Sequence, residues 1–118
     1  MQNDKTTKKL IQDTLLMLGI APHMKGFVYL VKTFTLLLEN DLYLYAISKR
    51  LYPDVAACFD TTDKGVERAI RHAKEVSEWS TDLWRELFQY VGPEQKITNS
   101  YFFGRVLLYL NDKLAKEA

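Results

Sequence analysis

The sequence is short of the residues on which small proteins most often build chemistry. Among 118 residues there is one cysteine, there are two histidines, and the net charge is only +1. Cys58 alone cannot close an intramolecular disulfide, and His23, Cys58 and His72 are scattered singles that match no zinc-ligand spacing. Cys58 reads as a small core residue, and His23, in a turn next to Pro22, as a structural one. Neither histidine has a nucleophile or carboxylate partner recognisable by spacing, so neither an enzyme nor a cofactor is expected. Long apolar runs are missing too. The most apolar stretch, Phe27–Leu38, is interrupted by Lys32 and is too short to span a bilayer. Met1–Lys9 is polar and basic with no apolar segment behind it, unlike a signal peptide, so the chain reads as cytoplasmic with no membrane partner. A strong basic excess is also lacking, and any case for nucleic acid must rest on where the charges sit.

What is present is the composition of an ordinary globular domain, 47% hydrophobic and 26% charged, which excludes a disordered chain. The length suits one domain over 1–118, able to bury a core without disulfide or metal staples. Helical spacing recurs throughout, and no strand pattern competes with it. Leu10, Ile11, Leu15 and Leu18 mark a first helix over Lys5–Leu18. Gly19, Pro22 and Gly26 punctuate the chain before a second helix, Phe27–Glu39, which is apolar on nearly every side and reads as the centre of a bundle. Asn40-Asp41 offers a cap for a third helix over Leu42–Leu51, and Pro53 suits the first turn of a short fourth one ending near Phe59. After Asp63–Ser77, a further helix is expected around Thr81–Tyr90, broken by Gly92-Pro93. A last one starts at Asn99 or Ser100, with Phe103, Val106, Leu107, Leu110 and Leu114 at core spacing. The expected fold is therefore all-α, a compact bundle of about six helices.

Function points to Tyr52–Ser77, which reads as short helix, tight polar break, longer helix, the layout of a helix-turn-helix. Thr61 or Thr62 can cap the longer helix, and Asp63 suits its positive end. Val66, Ala69, Ile70, Ala73 and Ser77 share a narrow face of small or branched side chains, while Lys64, Glu67, Arg68, Arg71, His72 and Glu75 share the other. From Asp63 to Lys74 the basic residues Lys64, Arg68, Arg71 and Lys74 stand against Asp63 and Glu67. An arginine fork meets the O6 and N7 of guanine together, discriminating by about 1–3 kcal/mol per good pair, and a glutamate can accept from a cytosine amino group. The same face also reads as a solvated one, with Glu67 and Arg71 an ordinary i,i+4 pair.

Several motifs add a resemblance. Leu51-Tyr52-Pro53-Asp54-Val55-Ala56, Thr61-Thr62 and Val66-Glu67-Arg68-Ala69-Ile70-Arg71-His72-Ala73 closely resemble the C-terminal effector domain of the stage-zero sporulation response regulators. His23-Met24-Lys25-Gly26-Phe27 with Tyr29-Leu30 is similar to the family's HIKGY-x-YL stretch. Lys96 with Thr98-Asn99-Ser100 and Phe102 is similar to its K-P-T-N-S-x-F entry to the last helix. The likeness covers about Leu15 to Leu114. It implies a six-helix domain whose helix-turn-helix reads a short G/C-containing box in duplex DNA, often in tandem head-to-tail copies on which molecules self-associate. Carried over by position, Glu67 and Arg68 match base-contacting residues, Arg71 and His72 match positions on the same DNA-facing helix, and Lys96 matches a lysine at the DNA surface outside it.

The chain departs from the pattern in three ways. Where the family has Ser-Arg, this chain has Lys64-Gly65, so one base-reading arginine is absent and Lys64 cannot supply its fork. A weaker or altered box preference is expected, with Gly65→Arg restoring affinity and slightly raising helix stability. Glu78–Gln95 is shorter than the family segment that contacts the RNA polymerase sigma subunit, and diverges from it. Finally, the βα alternation and acidic pocket of a receiver domain do not occur in these residues. The alternative reading is a degenerate relative that acts through protein contacts, pairing with a full-length regulator, with Trp84, Phe88 and Tyr90 as candidate contacts or core residues.

Overall fold

The computed structural model describes residues 4–89 and 96–117. The described residues are all-α, with six helices: α1 (Asp4–Met17), α2 (Lys25–Glu39), α3 (Tyr52–Cys58), α4 (Asp63–Glu75), α5 (Asp82–Phe88) and α6 (Asn99–Glu117). Apart from the third helix, the expected helix boundaries hold to within a residue or two, the usual scatter at frayed ends. The expected Gly92-Pro93 break lies outside the described residues.

Helix α2 is the centre of the bundle, and α1, α3, α4 and α6 all pack on it. It is not buried all round, since Val28 is exposed. Ile11 and Leu15 of α1 with Leu18 just after it, Leu30, Phe34 and Leu37 of α2, and Phe102, Phe103, Val106 and Leu110 of α6 build the core. Two threonines are buried in it without loss of hydrogen bonding. Thr14 and Thr33 each donate the hydroxyl to the carbonyl four residues back, Leu10 and Tyr29, at 2.8 Å. Helix α1 ends in a Schellman turn. Gly19, at φ 73°, donates to Leu16 and Ile20 donates back to Leu15.

The third helix expected over Leu42–Leu51 does not form as one element. A 3-10 turn, Asp41–Tyr45, is followed by a break at Ala46 and a π-turn, Ile47–Leu51. Pro53 accounts for the wide turn. It has no N–H for the carbonyl four residues earlier, and its ring crowds that carbonyl, so the chain widens before it. The wide turn, closed by Leu51 donating to Ala46 at 3.0 Å, delivers Leu51 and Tyr52 into the core.

Cys58 is also misplaced by its composition alone. It is exposed rather than buried. The inward stripe of α3 runs through Tyr52, Val55 and Ala56, with Phe59 next in phase and packed on the Tyr29 ring at 5.2 Å. Position 58 falls on the opposite side of that stripe.

Candidate nucleic-acid interface

Helix α4 follows α3 across residues 59–62, and the sharpness of that joint has a local cause. Asp60 adopts φ 52°, a left-handed conformation that aspartate tolerates, and Thr61 donates its N–H back to Ala56 at 3.3 Å. Thr62 then caps α4, its hydroxyl accepting from the Gly65 N–H at 2.9 Å, while Asp63 lies in the positive first turn. Val66, Ile70 and Ala73 are buried against α2 and α3. Anchored in this way on one side, α4 presents the other to solvent.

Along that outer side Lys64, Arg68, Arg71 and His72 are exposed, and Glu75 lies with them. Arg68 has no ion pair or hydrogen bond among the described residues, so its fork stands open. Glu67 and Arg71 are engaged with each other: Arg71 Nε lies 3.1 Å from one carboxylate oxygen of Glu67 and Nη2 3.4 Å from the other. The side chains are half-exposed, and such a pair contributes only a few tenths of a kcal/mol. Its consequence is geometric, because a Glu67 that accepts from a base must first leave Arg71.

Lys74 corrects the charge reading. Counted above with the basic residues of α4, it is buried, 3% exposed, and belongs to the same side as Ile70, Ala73 and Ser77. Its ammonium donates to the Ile97 carbonyl and, at 2.8 Å, to Asn99 Oδ1. Burial depresses its pKa to about 8, while the carboxylates of Glu75 and Glu67 pull it back up and Arg71 pushes it further down. The outer face of α4 therefore carries Lys64, Arg68 and Arg71 against Asp63, Glu67 and Glu75, so the positive character of this surface draws on Lys96 from outside the helix.

Lys96 is exposed and opens the described stretch that leads into α6. It shares one hollow with Glu67, Arg71, Lys74, Glu75 and Tyr52, and a smaller one with Trp79. The structure thus gathers Glu67, Arg71 and Lys96 around one hollow beside α4, with Lys64 at the start of the helix and Arg68 and His72 exposed along it. Asn99 and Tyr52, which join this group through hydrogen bonds, have no signature in helical periodicity. Lys74 does, since it stands four residues after Ile70, in the phase of a buried position.

Trp84 and Phe88, weighed above as contact residues, are core. Trp84 donates its indole N–H to the Leu18 carbonyl at 2.6 Å and stacks on Trp79, with ring centroids 4.5 Å apart. Phe88 lies parallel to Phe102 at 5.8 Å. Tyr90 lies outside the described residues. No described helix is long and apolar enough to cross a membrane.

The family model described as the sporulation initiation factor Spo0A C terminal matches residues 11–110, most of the chain and all of the elements that build this surface. This chain belongs to the Spo0A C-terminal family, the DNA-binding domains of sporulation transcription regulators.

Proposed function

We propose that the chain is a sequence-specific DNA-binding transcription regulator whose α3 and α4 act as a helix-turn-helix, with α4 in the major groove. The observation that carries this reading is the unpaired, exposed Arg68 fork midway along a helix that is capped at one end and anchored on its far side. A free guanidinium at that place meets guanine O6 and N7 without breaking a contact within the protein. Lys64 at the helix start and Lys96 beside its end flank it and suit phosphate contacts. Arg71 and His72 lie within the same footprint, and Glu67 reads a base once it leaves Arg71.

The same reading has the domain self-associate on tandem boxes in the cytoplasm. Contact with the polymerase sigma subunit, if made through α5, is a polar one, because α5 turns Leu83, Trp84, Leu87 and Phe88 inward and leaves Asp82, Arg85 and Glu86 outside. A fluorescence-anisotropy titration tests the core of the proposal. Duplexes carrying the family's G/C-containing box and scrambled duplexes are compared at two salt concentrations. Tighter binding to the box, with affinity falling as salt rises, is expected. Equal binding to both, or none, would shift the reading to a relative that acts through protein contacts.

A further inference from the structure

We propose that Lys74 and Asn99 are positioning residues of the DNA-facing surface, which tie the segment carrying Lys96 to α4 and brace Glu67 in its pair with Arg71. Residues 96–98 lie outside any helix. Ile97, which is buried, and Thr98, which caps α6 by accepting from the Tyr101 N–H, seat this stretch on the core, and its register against α4 needs a group from α4 that reaches across. Lys74 does so from the buried side. Its ammonium donates to the carbonyl of Ile97, the residue next to Lys96, and to the side chain of Asn99, the first residue of α6.

Asn99 then spreads the restraint. Its amide nitrogen donates to the Tyr52 hydroxyl at 3.0 Å and lies 3.5 Å from both the backbone carbonyl and a carboxylate oxygen of Glu67. One side chain at the head of α6 thereby touches α3 and two points on α4. The Glu67 carboxylate, held by Asn99 on one side and Arg71 on the other, sets where the Arg71 guanidinium lies.

Stability alone is a poor explanation for a lysine at position 74. Burying an ammonium carries a large desolvation penalty, and an apolar side chain of similar reach often serves as well or better. What an apolar residue cannot do is bond to one particular carbonyl, and that directionality fixes the register of the 96–99 segment.

The functional half of this proposal rests on the DNA-binding reading, and the structural half does not, so the experiment has two arms. In the DNA-free protein, trypsin cleavage after Lys96 is followed in wild type and Lys74→Met, with cleavage after the exposed Arg85 as the internal reference. The variant should be cut after Lys96 at least about ten times faster, with the reference rate unchanged. Equal rates would overturn the proposal. Should Lys74→Met fail to fold, Asn99→Ala loosens the same segment while the ammonium keeps the Ile97 carbonyl, and faster cutting after Lys96 is again expected.

In the second arm, Lys96→Ala is made in both backgrounds and bound to duplex DNA over a range of salt. In wild type it should lower the salt slope by about one unit. In Lys74→Met the slope should already be lower, and Lys96→Ala should change affinity less than twofold. The same loss from Lys96→Ala in both backgrounds would overturn the coupling. An unchanged slope for Lys96→Ala in wild type would instead sink the DNA-facing role of Lys96, and the cleavage arm would still decide whether Lys74 holds the segment.

Discussion

Gly26 lies directly against the backbone of α4, so that a Cβ at position 26 would stand 2.2 Å from the Ala69 carbonyl oxygen. It would also meet the Ala73 Cβ at 2.6 Å. Neither neighbour is the tip of a flexible side chain that could swing aside. The seat of α4 on α2 is therefore set by the absence of one methyl group.

Gly26→Ala should accordingly push α4 away from α2. Overpacking of this kind costs about 1–3 kcal/mol or more, and specific DNA binding should fall further than scrambled binding because the groove-facing residues move together. Urea denaturation and a titration on both duplexes check this. A variant as stable as wild type with full specificity would show that α4 can slide without consequence.

Arg68→Ala should leave the fold alone, since the side chain is exposed and makes no contact that the fold uses. Binding to the family box should weaken by about 1–3 kcal/mol, with preference relaxed at one base pair. Thermal unfolding and binding to single-base-pair variants of the box measure the two effects. Unaltered discrimination would remove Arg68 from the list of base readers.

The structure revises the expectation at Gly65. A Cβ there would come within 2.7 Å of Thr61 Oγ1 and 3.2 Å of Thr62 Oγ1, the hydroxyl that caps α4. The helix-propensity gain of up to about 1 kcal/mol from replacing glycine is thus offset by displacing Thr61 and crowding the cap. Gly65→Ala should change stability by less than about 1 kcal/mol in either direction. Gly65→Arg should match it in stability and bind the family box about 1–3 kcal/mol tighter, chiefly at one guanine. If the two variants bind alike, position 65 does not reach a base.

Lys74 makes stability depend on pH in a direction that can be worked out. Its folded pKa, about 8, lies below the ordinary lysine value of 10.5 because burial disfavours the ammonium. Between those values the unfolded chain binds more protons than the folded one. Stability therefore rises with pH across that window, and the gain is lost as pH falls towards 8. The facing charges are Glu67, Glu75 and Arg71, so the comparison is wild type against Lys74→Met, which keeps all three. Urea midpoints from pH 7.5 to 9.5 should rise for wild type relative to the variant. A constant difference would mean that the ammonium keeps its ordinary pKa in the fold.

Much of this molecule was legible from spacing and local chemistry. The 3.6-residue recurrence of Leu10, Ile11, Leu15 and Leu18, and of Phe103, Val106, Leu107 and Leu110, is enough to place α1 and α6 and their buried sides. Threonine before Asp63 marks the start of α4, and Val66, Ile70 and Ala73 mark its inner face. The family was legible as well, because a motif running from Val66 to Ala73 leaves few alternatives. What spacing along one helix cannot reveal is the group that a neighbouring element brings to meet it. The Ile97 carbonyl and Asn99, which make a buried Lys74 tolerable, lie more than twenty residues away, and only the packing of α6 on α2, the helix on which α3 and α4 also sit, brings them there. The same holds for the engagement of Glu67 and for the close approach of Gly26 to Ala69. Local periodicity sets which side of each helix turns inward. The fold decides what that side meets, because long-range contacts depend on how all six helices share one core.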